Sequence, residues 1–117
     1  MYVDGFVVPV PKRKLDAYLK MAKMANKVFM EHGALEYREA VGDDVPYGKR
    51  TSFPRSVKAT GSETVIFSWI LYKSRAHRDK VMKAAMADKR FAGMDMKKMP
   101  FDAKRMIYGG FKVRVSS

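Results

Sequence analysis

The ten residues from Glu63 to Tyr72 (Glu-Thr-Val-Ile-Phe-Ser-Trp-Ile-Leu-Tyr) constrain this chain more than any other segment. They are rich in β-branched and aromatic side chains, so they read as a strand. Successive strand residues point to opposite faces. Val65, Phe67, Trp69 and Leu71 therefore share one side, and Ile66, Ser68, Ile70 and Tyr72 the other. Both sides are apolar, so the sheet that holds this strand needs cover on both of its faces.

The remaining segments show what can supply that cover. Tyr2 to Val10 reads as a first strand, with Val3 and Val7 opposite Phe6, Val8 and Val10, closed by Pro9 and Pro11. From Lys12 to Glu31, apolar residues recur at Leu15, Tyr18, Leu19, Ala22, Ala25, Val28 and Phe29. That spacing predicts a helix with one buried stripe, stopped at His32-Gly33. Leu35 to Val41 alternates as a second strand, with Leu35, Tyr37, Glu39 and Val41 on one side. Gly42 to Ser62 has neither period, and a loop of about 20 residues in so short a chain points to a role. After the central strand, Ser74 is placed to cap a second helix over Arg75 to Lys89, whose buried stripe uses Val81, Met82, Ala85 and Met86. Arg90 to Pro100 is a methionine-rich connector. Lys104 to Val115 reads as a last strand, with Met106 and Tyr108 opposed to Ile107, Phe111, Val113 and Val115, and with Gly109-Gly110 marking a bulge or a close backbone approach.

The order is βαββαβ, which predicts an α+β chain of the ferredoxin-like kind: one antiparallel sheet with two helices on one face. At 117 residues a single domain spanning 1–117 is expected. Helices cover one sheet face. A partner subunit is the simplest cover for the other, so a homodimer is expected; the alternative is that the connector from Asp88 to Pro100 folds back over it.

Charge and cysteine content narrow the function classes. The chain has no cysteine, which excludes disulfides, thiolate metal sites and a cysteine nucleophile. Its start lacks a basic region followed by a long apolar run, and no stretch approaches the ~20 apolar residues of a membrane span, so a cytoplasmic protein without membrane contact is expected. Twenty-four Lys and Arg against 12 Asp and Glu give a net charge of +12. These cations are spread over both helices, the long loop and the C-terminal strand, with no nucleic-acid motif among them, so nucleic acid is a weak expectation resting on diffuse phosphate attraction.

Several segments together carry a family resemblance: Tyr2-Val3-Asp4-Gly5-Phe6, Glu31-His32-Gly33-Ala34-Leu35-Glu36-Tyr37, Gly42-Asp43-Asp44-Val45, Thr51-Ser52-Phe53-Pro54-Arg55, Phe67-Ser68-Trp69-Ile70 and Lys104-Arg105-Met106-Ile107-Tyr108-Gly109-Gly110-Phe111. They resemble the YbaA-like family, domain of unknown function 1428. The resemblance implies the dimeric α/β-barrel superfamily, in which two ferredoxin-like sheets face each other. It implies no activity of the family's own; the wider superfamily holds small monooxygenases, isomerases and ligand binders.

Candidate functional residues fall into four sets. The acidic residues Asp4, Glu36, Glu39, Asp43 and Asp44 come from the first two strands and the loop after them. Asp4 and Glu39 are candidate general bases if burial raises their pKa values, and a carboxylate pair is also an oxygen-ligand arrangement for a divalent cation; the competing role is salt bridging and turn capping. His32 is a third candidate for chemistry, set against a structural role at a helix C-terminus. In the long loop, Lys49, Ser52 and Arg55 are candidates for binding an anion, set against a solvated or partner-docking loop. Tyr37, Trp69 and Tyr108 are candidates for lining an apolar pocket, set against simple core packing. No metal or cofactor is assigned, because neither a P-loop nor a dinucleotide fingerprint is present. The leading expectation is a dimeric barrel that binds an apolar or aromatic small molecule, with monooxygenase- or isomerase-like chemistry at most. The alternative is a non-enzymatic accessory protein whose basic surface binds RNA or another polyanion.

Overall fold

The computed structural model describes residues 1–117, the Met96 side chain excepted. Four strands form one sheet: β1 (Tyr2–Pro11), β2 (Glu36–Val41), β3 (Glu63–Tyr72) and β4 (Ile107–Lys112), in the spatial order β2-β3-β1-β4 with every neighbouring pair antiparallel. The two strands richest in β-branched residues take the centre. β4 pairs only with Tyr2–Val7, so Pro9 and Pro11 fall where β1 has lost its second neighbour and a missing N–H is tolerated.

Two long helices, α1 (Leu15–Glu31) and α3 (Arg75–Met86), lie on one face of the sheet. A 3-10 turn over Lys12–Lys14 leads into α1, which buries Tyr18, Ala22, Val28 and Phe29 as its spacing predicts. Gly33 at φ 111° takes the left-handed conformation that ends it. Ser74 caps α3 by accepting a hydrogen bond from the His77 amide at 3.1 Å. Against these helices the sheet presents Tyr2, Val8 and Val10 from β1 and Ile66, Ile70 and Tyr72 from β3, all buried.

The structure differs from the sequence reading at three junctions. The second helix stops at Met86, because Asp88 caps a separate short turn, α4 (Lys89–Ala92), accepting from the Arg90 amide at 2.9 Å. The long loop carries another short helix, α2 (Phe53–Ser56), with Ser52 accepting from the Arg55 amide at 3.0 Å and Pro54 in its first turn. The last strand is shorter than Lys104 to Val115. Arg105 is held off the sheet edge by a two-pronged pair with Glu63 (2.8 and 2.6 Å), by Asp102 (2.8 Å) and by the Lys58 carbonyl (2.9 Å).

The outer face of the sheet is partly covered, and the cover comes from the loop rather than the connector. Val57 and Ala59 pack on Val7 and Val65, and Phe53 meets Phe67 edge-on at 5.7 Å between ring centres, while Phe91 of the connector packs on the helix-side core. The remainder of this face is more open. Phe67 is 44% exposed, Ile107 45% and Phe111 61%. Glycines 109 and 110 form no bulge, since the β1–β4 register runs unbroken from Val7 opposite Ile107 to Tyr2 opposite Lys112. They do allow a close approach: a Cβ on Gly110 would overlap the Tyr2 hydroxyl.

Candidate ligand cavity

Between the sheet and the helices lies a cavity of about 540 Å³. Its floor is the inward register of three strands: Asp4, Phe6 and Val8 of β1, Ser68 and Ile70 of β3, Tyr37 and Glu39 of β2. Its roof is Tyr18, Met21 and Phe29 of α1 with Arg78, Met82 and Met86 of α3, and its rim is Phe101, Met106 and Tyr108. The lining is mostly aromatic and thioether, with a few polar groups at fixed places, the composition of a small-molecule site.

The two carboxyl groups of this cavity sit in different environments. Glu39 is saturated: the Tyr18 hydroxyl donates to Oε2 and the Tyr37 hydroxyl to Oε1, both at 2.9 Å. Burial raises its pKa against the lowering effect of Tyr37, Tyr18 and Ser68. Both tyrosines are raised in turn, first by their own burial and then by Glu39. Asp4 is not saturated. Arg78 donates to Oδ1 at 2.7 Å, while Oδ2 is buried without a hydrogen-bond partner among the described residues. Burial raises the Asp4 carboxyl too, opposed chiefly by the charge of Arg78 and by the neighbouring Tyr72 hydroxyl. That hydroxyl is itself buried without a partner that meets hydrogen-bond geometry.

Asp4 is held by Arg78 and lies beside the Tyr72 hydroxyl. Arg78 reaches it from α3, and the Arg78 guanidinium also lies 5.0 Å from the centre of the Tyr2 ring. Tyr2 in turn occupies the space that Gly110 leaves. The arrangement fixes one carboxylate oxygen to a cation and buries the other beside the Tyr72 hydroxyl.

Of the residues singled out in the sequence, Asp4, Glu39, Tyr37 and Tyr108 line this cavity. Asp4 and Glu39 do not form an adjacent pair. β3 stands between their strands, which separates them by two strand spacings, roughly 10 Å. Glu36 faces the opposite side of the sheet, where it accepts from Arg38 at 3.0 Å, and Asp43 and Asp44 are exposed in the loop. Among the described residues no group of three or more His, Asp or Glu is arranged to hold a metal ion.

The other candidates lie elsewhere. Trp69 is on the outer sheet face, beside Phe67 at 5.6 Å between ring centres, and donates to Glu36 at 3.3 Å. His32 sits at the end of α1 within 2.9 Å of Asp88, outside the cavity. Arg55 donates to the Tyr47 and Gly48 carbonyls and stacks on the Tyr47 ring, so it folds its own loop. Ser52 caps α2, and Lys49 is exposed. Lys20, Lys23 and Lys27 line an exposed face of α1, but the exposed aromatics Tyr47, Phe53, Phe67, Tyr108 and Phe111 belong to the long loop, β3 and β4 rather than to that helix. No stacking platform is interleaved with those cations.

Tyr18, Ser68 and Arg78 complete the site and were not singled out for it. Arg78 had a readable signal: with Val81, Met82 and Ala85 it makes an i, i+3, i+4, i+7 set, which puts a charge in the buried stripe of α3.

Comparison with known proteins fits this geometry into a family. The model of the family described as "Protein of unknown function (DUF1428)" matches residues 1–103. This chain belongs to that family. It is 51% identical over 111 residues to the "Uncharacterized protein YbaA" of Escherichia coli strain K12, spanning 95% of this chain and 94% of the relative, and matches the protein of the same description from Shigella flexneri to the same extent. Among solved structures, an uncharacterized NIPSNAP domain protein from Burkholderia xenovorans superposes with a TM-score of 0.61 over 97% of this chain and 94% of that one. Their sequences are 14% identical, so that likeness shows the α+β fold and nothing of the chemistry.

Proposed function

We propose that this protein binds a small, largely apolar or aromatic molecule in the cavity between sheet and helices, as one subunit of a homodimer joined through the open sheet faces. The observation that carries the ligand reading is the cavity itself: about 540 Å³ of space within a chain of 117 residues, walled by aromatic and methionine side chains around two buried carboxyls. The lining supports the reading: apolar and aromatic walls with a few polar groups at fixed places are the make-up of small-molecule sites.

Electrostatics sets the ligand's charge. The Asp4 carboxylate is balanced by Arg78, and burial favours the neutral form of Glu39. The cavity therefore presents no net cation despite the chain's excess of 12 positive charges, and a neutral ligand fits it. The dimer reading rests on Phe67, Ile107 and Phe111, which leave a contiguous apolar patch with Val3 and Trp69 on the outer face. Patches of this kind on a soluble chain mark association surfaces.

The test uses N-phenyl-1-naphthylamine, a neutral probe that brightens in apolar surroundings. It is expected to bind at about one molecule per chain, and Met82→Trp, which fills the cavity from α3, is expected to abolish the signal. Binding that survives Met82→Trp but is lost in Phe67→Glu would place the probe on the outer face and overturn the cavity reading.

A further inference from the structure

The polar groups that line the cavity differ in what they have left to offer. Glu39 has both oxygens taken by the Tyr18 and Tyr37 hydroxyls, whose protons are thereby spent. Asp4 Oδ1 accepts from Arg78, and Oδ2 is sealed beside the Tyr72 hydroxyl, out of reach of anything in the cavity. Arg78 is the exception. A guanidinium presents several N–H donors in a rigid fork and accepts nothing. Nε donates to Asp79 at 2.8 Å and Nη1 to Asp4 at 2.7 Å, while Nη2 donates to no group among the described residues. Nη2 is not one of the side-chain atoms buried without a partner, so it keeps open surface on a side chain that lines the cavity and is 21% exposed. Asp4, Asp79 and the Tyr2 ring, whose centre is 5.0 Å from the guanidinium carbon, hold the fork in place.

We propose, resting on the cavity reading above, that the natural ligand is a neutral, largely apolar molecule bearing a carbonyl oxygen, and that this oxygen accepts a hydrogen bond from Arg78 Nη2. The donor is a cation, so the bond is of the stronger, charge-assisted kind. The apolar walls take the rest of the ligand, and the anchored fork fixes which end lies against α3. A carboxylate ligand is disfavoured because Asp4 and Asp79 already bring two negative charges to one guanidinium, and a third would be enclosed without a partner of its own. An ammonium ligand is disfavoured because the group on offer is itself a cationic donor.

The experiment compares 2-acetylnaphthalene with 2-isopropenylnaphthalene, in which a CH₂ group replaces the carbonyl oxygen at nearly the same shape. Each is read by its displacement of N-phenyl-1-naphthylamine. A purely apolar cavity prefers the hydrocarbon. The wild-type protein is expected to bind the ketone more tightly by roughly tenfold, the scale of one hydrogen bond to a charged group, and to bind 2-naphthoate more weakly than the ketone. Arg78→Met is expected to reverse the order, hydrocarbon over ketone. Because that change alone leaves Asp4 buried without its cation, Arg78→Met combined with Asp4→Leu removes the pair together, and the same reversal is expected of it.

Equal affinities, or a preference for the hydrocarbon, in the wild-type protein overturn the carbonyl assignment and leave the cavity reading standing. A ketone preference that survives in the double variant moves the donor to another residue and overturns it as well, as does 2-naphthoate binding more tightly than the ketone. If neither neutral compound displaces the probe, the cavity reading falls and this inference with it. The wild-type ratio decides the matter even if both variants lose their cooperative unfolding transition.

Discussion

At the scale of single residues, two buried carboxyls couple folding to pH with opposite signs. Burial raises Glu39 above its ordinary value of 4.5. Its ionisation therefore costs stability, a cost absent below about pH 4.5 that grows as pH rises through the elevated value. Glu39→Gln keeps partners for Tyr18 and Tyr37, because a tyrosine hydroxyl accepts as well as donates. It is expected to be more stable than wild type at pH 8, with the difference gone at pH 4; a constant difference at both values refutes the linkage. Glu63 is the reverse case. Its hydrogen bonds to Arg105 pull its carboxyl from 4.5 down to about 2, so its contribution is full above pH 4.5 and lost as pH falls through 2. Urea titrations of Glu63→Gln should show a deficit of about 2 kcal/mol at pH 7 that shrinks steadily below pH 4.5. Strand alternation put Tyr37 with Glu39 on the mainly apolar side of β2 and Asp4 with Phe6 and Val8 on one side of β1, but left open which side of β1 faces the helices, since both are apolar. The difference between a saturated Glu39 and a half-saturated Asp4 was not, because it depends on Tyr18 and Arg78 arriving from helices that no local pattern docks.

At the scale of elements, the legible ones were those whose period repeats. β3 runs from Glu63 to Tyr72 as its alternation predicts, and α1 buries the stripe its spacing marks. α2 is four residues long, too short to show any period, so its Ser52 cap and Pro54 were the readable traces. β4 began late because its first residues are committed to ion pairs across the molecule, with Glu63 as the distant partner. Within β4, Gly110 is required by Tyr2 rather than by a turn. Gly110→Ala forces the Tyr2 ring aside and with it the Arg78 guanidinium it carries. Such overpacking typically costs about 1 to 3 kcal/mol. The expected readout is a lowered melting temperature together with weakened N-phenyl-1-naphthylamine binding; a variant that melts and binds as wild type would show that Tyr2 does not position Arg78 and Asp4.

At the scale of the whole molecule, the demand that β3 be covered on both sides is met unequally. Helices and connector complete one side, while on the other the long loop reaches Val7 and Val65 through Val57 and Ala59, and Phe67 through Phe53. The sequence left open whether connector or partner covers that second face, and Phe91 of the connector packs instead on the helix-side core, against Phe29. Phe67→Glu puts a charge in the middle of the open patch. Sedimentation equilibrium is expected to show a dimer for wild type and a shift of at least tenfold toward monomer for the variant, whose cavity lies behind the sheet and should still bind N-phenyl-1-naphthylamine. A monomeric wild-type protein at micromolar concentration would refute the interface.

The walls opposite Asp4 are supplied in large part by Met21, Met82, Met86 and Met106. Thioether chains are unbranched, polarisable and cheap to rearrange, so these walls yield to the outline of what enters. Recognition in such a space is permissive about contour. A family of congeners differing in ring substitution would be held with similar strength, and oxidation of those sulfurs to sulfoxides would end that tolerance by turning a pliant wall into a wet one.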